Sequence, residues 1–331
     1  MPLSERQIRD CIGRNQLQLI LLPTEACNFR CVYCYEDFEH NRMEPTVVRG
    51  VKNLLTRRAA ELDRLALTWF GGEPLLALDV MEDILCHAGS LARRHPRMRY
   101  ESDVTTNAYL LSRPVFGRLL ELGVTRYQVT FDGSREWHDK KRVLTNGRGT
   151  FDRIWENVAA MVEVPRDFTV VVRLHVDRNY RAALPEFLQL YRRTLERDPR
   201  FKLCFRIVSQ LGGPQDATLP VLGAEEGRKT VKALRRVAEE QDVEQLTERD
   251  FRPMCYAAHT NSFVVRANGR LNKCTVALEH PANQVGRLHE DGELEVLESR
   301  MQSWIRGLYS GSSEELNCPR RGLVDVCRPA V

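Results

Sequence analysis

No stretch of the chain reaches the ~18 consecutive apolar residues of a membrane-spanning helix. The opening residues, MPLSERQIRD, lack a basic segment running into an apolar one, so no secretory signal is expected and the expected location is cytoplasmic. Charge of one sign is scarce: 49 Lys and Arg against 45 Asp and Glu leave a net charge of +4. That balance gives no reason to expect a nucleic-acid partner. Internal repeats and low-complexity tracts are absent. With 43% hydrophobic and 28% charged residues, the composition excludes a disordered chain. The 331 residues suit roughly two domains, or one α/β barrel with an appendage.

Cysteine is the one residue in excess, with ten copies. In a reducing compartment that many thiols points to metal or catalysis rather than disulfides. Cys27, Cys31 and Cys34 cluster early, and Cys255, Cys274, Cys318 and Cys327 fall late. Cys11, Cys86 and Cys204 are scattered and read as small buried hydrophobes.

The first ~210 residues alternate strand-like and helix-like stretches. Strands are expected at Leu17–Leu22, Leu65–Phe70, the RMRYESDVTT segment, Arg126–Phe131, Thr169–Val176 and Lys202–Val208. Helical patterns separate them. One starts at Pro45, and another is stopped by Gly123. Such alternation predicts a parallel sheet with right-handed crossovers. Periodicity alone leaves a doubly wound sheet and an incomplete barrel both open. LGGPQDATLPVLG reads as a linker, Ala224–Glu244 as a helix, and SFVVRANGRLNKC as a hairpin turning at Asn268-Gly269.

The segment after the first strand, PTEACNFRCVYCYEDF, spaces its cysteines C-x3-C-x2-C. Three thiolates on one loop fall short of a tetrahedral structural zinc site unless a fourth ligand is borrowed. They can also hold three irons of a four-iron cubane and leave the fourth iron open. In parallel α/β folds this loop position, at the carboxyl end of a strand, is where chemistry is placed.

This triplet, with Tyr33 just before its third cysteine, resembles the radical S-adenosylmethionine (SAM) enzymes. TWFGGEPLL after the second strand, TTNAYLL after the third and TFDGSREWHDKKR after the fourth follow in that family's order. The resemblance covers about Leu17 to Val208 and implies an α/β fold, a partial (βα)6 TIM-like barrel. It implies a [4Fe–4S] cluster on Cys27, Cys31 and Cys34, with SAM chelating the open iron. Reductive cleavage of SAM then yields a 5′-deoxyadenosyl radical that abstracts a substrate hydrogen. Gly71, Gly72, Glu73 and Pro74 are expected at the SAM amino group, where glycines let backbone approach a ligand. Thr106 and Asn107 are expected near the ribose or the substrate, with Ala108 where members often carry glycine. Asp132 ends the fourth strand and Arg142 is expected to pair the SAM carboxylate. His138 and Asp139 read as a solvated charged loop. Arg173 and His175 alternate toward the barrel interior, with His175 expected to be buried and hydrogen bonded.

Cys255 followed by Gly269-x4-Cys274 resembles the start of a SPASM extension, the auxiliary-cluster region of peptide-modifying radical SAM enzymes. The remainder departs from that pattern. Where the family has four cysteines, this chain reads Cys318, Arg321, Cys327 and Val331, with no final cysteine. In the family's arrangement Cys255 and Cys274 would serve one cluster, and Cys318 and Cys327 another. Each would keep two thiolates, so degenerate auxiliary sites are expected. A regrouping of the four around one metal, or a further C-terminal segment, are the other outcomes. Thr275 stands where sulfatase-maturase-like members carry Asp.

The expected division is a core at 1–222, a linker helix at 223–251 and a SPASM-like domain at 252–331. The expected function is hydrogen abstraction from a peptide or protein, leading to cross-linking or oxidation. The alternatives are a dehydrogenase or epimerase of a sugar or small metabolite, and a metal-binding module without turnover. A flavodoxin or ferredoxin is the expected electron donor. About sixteen residues precede the first strand, too few for a fused leader-binding domain, so peptide delivery is expected to use a separate leader-binding protein or direct barrel contacts.

Overall fold

The computed structural model describes residues 5–195, 197–240, 243, 245, 246 and 254–323. The strands are β1 (Gln16–Leu21), β2 (Phe29–Cys31), β3 (Arg64–Trp69), β4 (Arg99–Thr106), β5 (Val124–Phe131), β6 (Arg142–Leu144), β7 (Thr169–Val176), β8 (Phe201–Ile207), β9 (Ser262–Val265), β10 (Arg270–Asn272), β11 (Gln284–Leu288) and β12 (Leu294–Val296). The helices are α1 (Glu5–Ile12), α2 (Pro45–Arg58), α3 (Leu78–Arg94), α4 (Arg113–Glu121), α5 (Arg135–Lys141), α6 (Phe151–Ala159), α7 (Tyr180–Thr194), α8 (Ala224–Glu240), α9 (Glu298–Ser310) and α10 (Ser313–Asn317). Two compact units divide the chain. One is Met1–Ala26, Asp37–Ser102 and Arg252–Val331; the other is Cys27–Glu36 and Asp103–Phe251.

In the first unit the hydrogen-bonded strand order is β12-β11-β10-β9-β1-β3. β1 runs parallel to β3 from Gln16↔Arg64 to Leu21↔Trp69, and parallel to β9 from Gln18↔Ser262 to Leu21↔Val265. Leu19, Leu21, Leu67 and Trp69 are buried, as expected of parallel strands covered on both faces. α2 begins with Pro45 at its first turn and buries Val47, Val51, Leu54 and Leu55. α3 buries Val80, Met81, Ile84, Leu85, Ala88 and Leu91, the helical repeat seen in the sequence. The hairpin SFVVRANGRLNKC forms β9 and β10. Gly269 N–H bonds to Arg266 O at 3.0 Å, and Gly269 takes φ +82°. The turn is therefore a type I turn closed by a left-handed glycine, longer than a two-residue connection.

In the second unit β5, β7 and β8 are parallel neighbours, with Thr130↔Arg173 and Arg173↔Cys204 in register. Phe131, Phe151, Trp155 and Phe187 pack edge to face or stacked, with centroids 5.3–6.1 Å apart. They fasten α6 and α7 to the end of β5. β4 has residues in both units. The α/β class, the six core strands and the helices between them stand where the sequence pattern puts them. The segment read as a charged loop after β5 is instead α5 followed by β6. No described helix is long and apolar enough to cross a membrane.

Candidate active site

In the second unit a two-stranded antiparallel sheet grips the cysteine loop. β2 pairs with β6 through Phe29↔Leu144, Arg30↔Val143 and Cys31↔Arg142. Beside it Val32 N–H bonds to Lys141 O and Thr145 N–H to Asn28 O, each at 3.0 Å. The HDKKR stretch is thus the backbone clamp of the C-x3-C-x2-C loop, which the sequence alone did not reveal. Cys27 Sγ accepts Phe29 N–H at 3.3 Å and faces Asn107 Nδ2 at 3.9 Å. Cys34 N–H bonds to Cys31 O at 3.0 Å.

Around the loop lies a buried polar network. The Tyr33 hydroxyl donates to Asp132 Oδ2 at 2.7 Å and accepts from Arg142 Nη1 at 2.9 Å. His175 Nδ1 lies 3.3 Å from Asp132 Oδ1, and its ring meets Tyr33 edge on at 4.7 Å. Burial alone would raise the Asp132 pKa. The close approach of His175 and the charges of His175, Arg142 and His138 outweigh it, and the carboxyl stays ionised well below its usual range. Burial pulls His175 down to about 4, helped by Arg173 and opposed by Asp132. Burial raises the thiol of Cys31, against the pull of Arg142, and pushes Cys34 up to about 12. These thiols hold their protons until a cation displaces them, so metal loading releases protons.

His138 corrects an expectation. It is fully buried rather than solvated. Its Nδ1 faces Asp132 N–H at 3.4 Å and its Nε2 lies 3.1 Å from Thr150 Oγ1, which itself donates to Arg142 O at 2.7 Å. That chain fixes the neutral tautomer with the proton on Nε2, and burial lowers its pKa to about 3. Asp139 is likewise structural. It accepts Thr150 N–H at 2.8 Å and Phe151 N–H at 3.0 Å at the start of α6.

Thr106 and Asn107 spend their side chains locally. Thr106 Oγ1 accepts Ala108 N–H at 3.0 Å, and Asn107 Nδ2 donates to Asn28 Oδ1 at 2.8 Å, beside Cys27. Ala108 is buried with φ +60°, a left-handed backbone held by Asn157 Nδ2 on its carbonyl at 2.8 Å. The glycine-for-alanine exchange visible in the sequence therefore sits at a position whose geometry favours glycine.

The loop after β8, expected to be a linker, is ordered. Asp216 Oδ2 accepts Gly212 N–H at 2.7 Å. A Cβ on Gly213 would lie 2.4 Å from Cys34 O. Gly213 thus belongs among the residues that hold the cysteine loop, and only its Gly-Gly context hinted at it. An open groove of about 1030 Å³ between the starts of α7 and α8 is lined by Arg178, Arg181, Glu225, Glu226 and Lys229. It contains no cysteine and is separate from this network.

In the first unit Gly71 and Gly72 admit backbone, as expected, but the backbone is the chain's own. A Cβ on Gly71, whose φ is +112°, would lie 2.3 Å from Thr24 O, and one on Gly72 would lie 2.4 Å from Ala26 O. Glu73 N–H bonds to Ala26 O at 2.9 Å, and its buried carboxylate accepts Leu75 N–H at 3.1 Å. Pro74 opens the short 3-10 turn Pro74–Ala77. The segment therefore braces the residues immediately before Cys27. Next to them Glu25 and Arg266, both buried, form a bidentate pair that the sequence gave no means of finding. Arg266 also pairs with Glu279 and lies 3.9 Å from Glu39.

Three of the four late cysteines lie within the described residues. Cys255 N–H bonds to Leu316 O at 2.9 Å, which brings the end of α10 and Cys318 toward it. Burial raises the Cys255 thiol to about 11, and the neighbouring Cys274 and Cys318 add to the rise. Cys318 thus joins Cys255 and Cys274 in one neighbourhood. Cys327 and Val331 lie outside the described residues; Arg321 lies in the turn Pro319–Gly322. Thr275 bonds with the Tyr256 hydroxyl at 2.9 Å.

Among the described residues, the group of three Cys, His, Asp or Glu ligand atoms within 4.8 Å of one another is Asp37, Glu39 and Glu279. Neither cysteine trio is drawn in to the roughly 3.8 Å sulfur separations that ~2.3 Å tetrahedral zinc bonds require. Arg142 keeps a solvent-shielded Nε with no hydrogen-bond partner, beside Cys31. Three thiols with an adjacent unsatisfied cationic donor fit a cluster larger than one ion together with an anionic ligand.

Comparison with known proteins agrees with this geometry. Residues 21–188 match the family model described as the Radical SAM superfamily. A GTP 3′,8-cyclase from Cronobacter sakazakii is 32% identical over 176 residues, 49% of this chain and 50% of that protein. An Fe-coproporphyrin III synthase from Methanosarcina barkeri is 26% identical over 208 residues, 63% of this chain and 48% of that protein. The chain thus spans about half the length of these relatives. Among solved structures, anSMEcpe with bound AdoMet superposes with TM-score 0.66 at 17% identity, covering 87% of this chain and 77% of that one. Streptococcus suis SuiB bound to its precursor peptide SuiA gives 0.64 at 13%, covering 89% and 67%. These likenesses show the α/β partial-barrel fold expected from the sequence. With half the chain matched by the family model, the protein belongs to the radical SAM superfamily, whose cofactors are a [4Fe–4S] cluster and SAM.

Proposed function

We propose that this chain is a radical SAM oxidoreductase that acts on a peptide or protein, abstracting hydrogen to cross-link or oxidise side chains. The cluster and SAM supply a carbon-centred radical when bound; the protein supplies binding, orientation and exclusion of water. In this reading Cys27, Cys31 and Cys34 hold the cluster. Arg142, kept charged and aimed by Tyr33 and Asp132, receives the SAM carboxylate. Gly71-Gly72-Glu73-Pro74 shape the side that takes the amino group, and Thr106 and Asn107 steady the stem of Cys27 near the ribose. In the same reading residues 1–222 are the core, 223–251 a linking helix, and 252–331 a SPASM-like part. A flavodoxin or ferredoxin in the cytoplasm is the proposed electron source, and a separate leader-binding protein the proposed carrier of the peptide.

The observation that supports the peptide reading is the bond of Cys255 N–H to Leu316 O at 2.9 Å, which brings the segment before Cys318 to Cys255. It lies in the SPASM-like extension, outside the segment matched by the family model. A second reading, a small nucleotide or other metabolite as substrate, is favoured by the GTP 3′,8-cyclase relatives.

Iron and sulfide per anaerobically reconstituted chain test the arrangement. About four of each means one cubane and about eight means a surviving auxiliary cluster. If the three late thiols hold a cluster, Cys318→Ala lowers the count from about eight to about four. Mass spectrometry after incubation with SAM, reductant and short peptides encoded beside the gene is expected to show loss of hydrogen from a peptide. Turnover of GTP with every such peptide unchanged overturns the peptide reading in favour of the second. Failure to form 5′-deoxyadenosine at all overturns both.

A further inference from the structure

The sheet face that carries Asp132 and His175 also carries a cation with nothing to pair it. Register places Thr130 beside Arg173 and Arg173 beside Cys204, with His175 beside Arg206 one step on. Residues two apart on a strand share a face, so β7 presents Arg173 and His175 on this side, while β8 presents Lys202, Cys204 and Arg206. Asp132, at the end of the neighbouring strand, accepts from the Tyr33 hydroxyl and lies 3.3 Å from His175. Arg173 makes no hydrogen bond or ion pair among the described residues, and its Nε is shielded from solvent without a partner. Burial and the repulsion of Arg206 weaken its hold on its proton. A partly buried guanidinium beside a second arginine costs stability unless an anion completes the arrangement.

That anion is distinct from the cofactor's. Arg142 is the cation coupled to Cys31, and it has its own unfilled Nε.

We propose that Arg173, on the barrel-facing side of β7, is the docking cation for an oxyanion of the substrate, a carboxylate or a phosphate. The proposal rests on the reading above, that a substrate is brought to this network, and it names that substrate's recognition group. Planar guanidinium recognises both oxyanions through two parallel N–H bonds. A peptide supplies it from an Asp or Glu side chain, and a nucleotide from its phosphates.

The test is titration calorimetry of the reconstituted protein with three probes: pyrophosphate, and N-acetylated, C-amidated Ala-Glu-Ala and Ala-Gln-Ala. Wild type is expected to bind pyrophosphate or the Glu peptide and to bind the Gln peptide more weakly. Arg173→Gln is expected to lose about tenfold or more in affinity, and Arg173→Lys to recover part of it. Preference for the Glu peptide supports the peptide source, and preference for pyrophosphate the nucleotide source. Absence of binding by both oxyanion probes, or equal binding by R173Q, overturns the proposal. So does loss of SAM affinity in R173Q with oxyanion binding retained, which would return Arg173 to the cofactor. A second readout needs no ligand: Arg173→Met removes a partly buried charge with an unsatisfied Nε, so its unfolding midpoint is expected to rise, and a fall would reveal a structural partner. Inability of the wild type to cleave SAM would sink the enzymatic reading while leaving these binding outcomes readable.

Discussion

Replacing Gly72 by Ala tests how the motif before Pro74 supports the cysteine loop. The added methyl would lie 2.4 Å from Ala26 O, 2.5 Å from Glu25 O and 2.6 Å from Ala26 C, all backbone atoms. Restoring an ordinary contact of 3.4 Å moves the two strands of chain apart by 3.4 − 2.4 = 1.0 Å. The Glu73 N–H···O Ala26 bond, 2.9 Å in the native chain, does not survive that opening. Overpacking costs about 1–3 kcal/mol and the lost hydrogen bond about 1 kcal/mol. Together they amount to about 2–4 kcal/mol, or about 3–6 °C in the unfolding midpoint of a chain this long. The displaced residue is the one before Cys27, so cluster loading is expected to fall with stability. The assay pairs thermal unfolding with iron and sulfide content after anaerobic reconstitution. Gly117→Ala serves as the control. Gly117 is in α4 with nothing within 4 Å of the new methyl, and the variant is expected to gain about 0.5–1 kcal/mol. A G72A protein with wild-type midpoint and full iron would refute the bracing role.

Ala108→Gly is expected to stay within about 1 kcal/mol of wild type, because relief of the φ +60° backbone offsets the lost methyl and the added chain entropy. Ala108→Val, β-branched and buried, is expected to lose more than about 2 kcal/mol, read by denaturant titration. His138 and His175 titrate at about 3 and about 4 in the folded chain, against ~6.5 unfolded. The unfolded state therefore binds more protons between these values, and stability falls as pH drops from about 6.5 toward 4. His138→Gln is expected to flatten that slope in midpoint-against-pH curves of the metal-free protein, and an unchanged slope would assign it elsewhere. Arg266→Ala strands the buried Glu25 and is expected to cost about 3–5 kcal/mol. Glu25→Gln added to it is expected to return part of the loss.

The sequence by itself determined the α/β order and the cysteine triplet, because strands, helices and metal-ligand spacing are written within a few neighbouring residues. LALTW and TVVVRLHV are apolar wherever they are placed, and three thiols in eight residues have few uses. Tertiary structure alone decided what the charged residues do. His138 and Asp139 read as a solvated loop until α5 and β6 fold His138 under Thr150 and lay Arg142 along Cys31. α10 carries Cys318 toward Cys255, 63 residues earlier in the chain. Arg266 finds Glu25 across 241 residues, and Arg173 is left with a shielded Nε that no group satisfies. Such roles depend on which distant group removes water from a charge, and that is a property of packing rather than of local pattern.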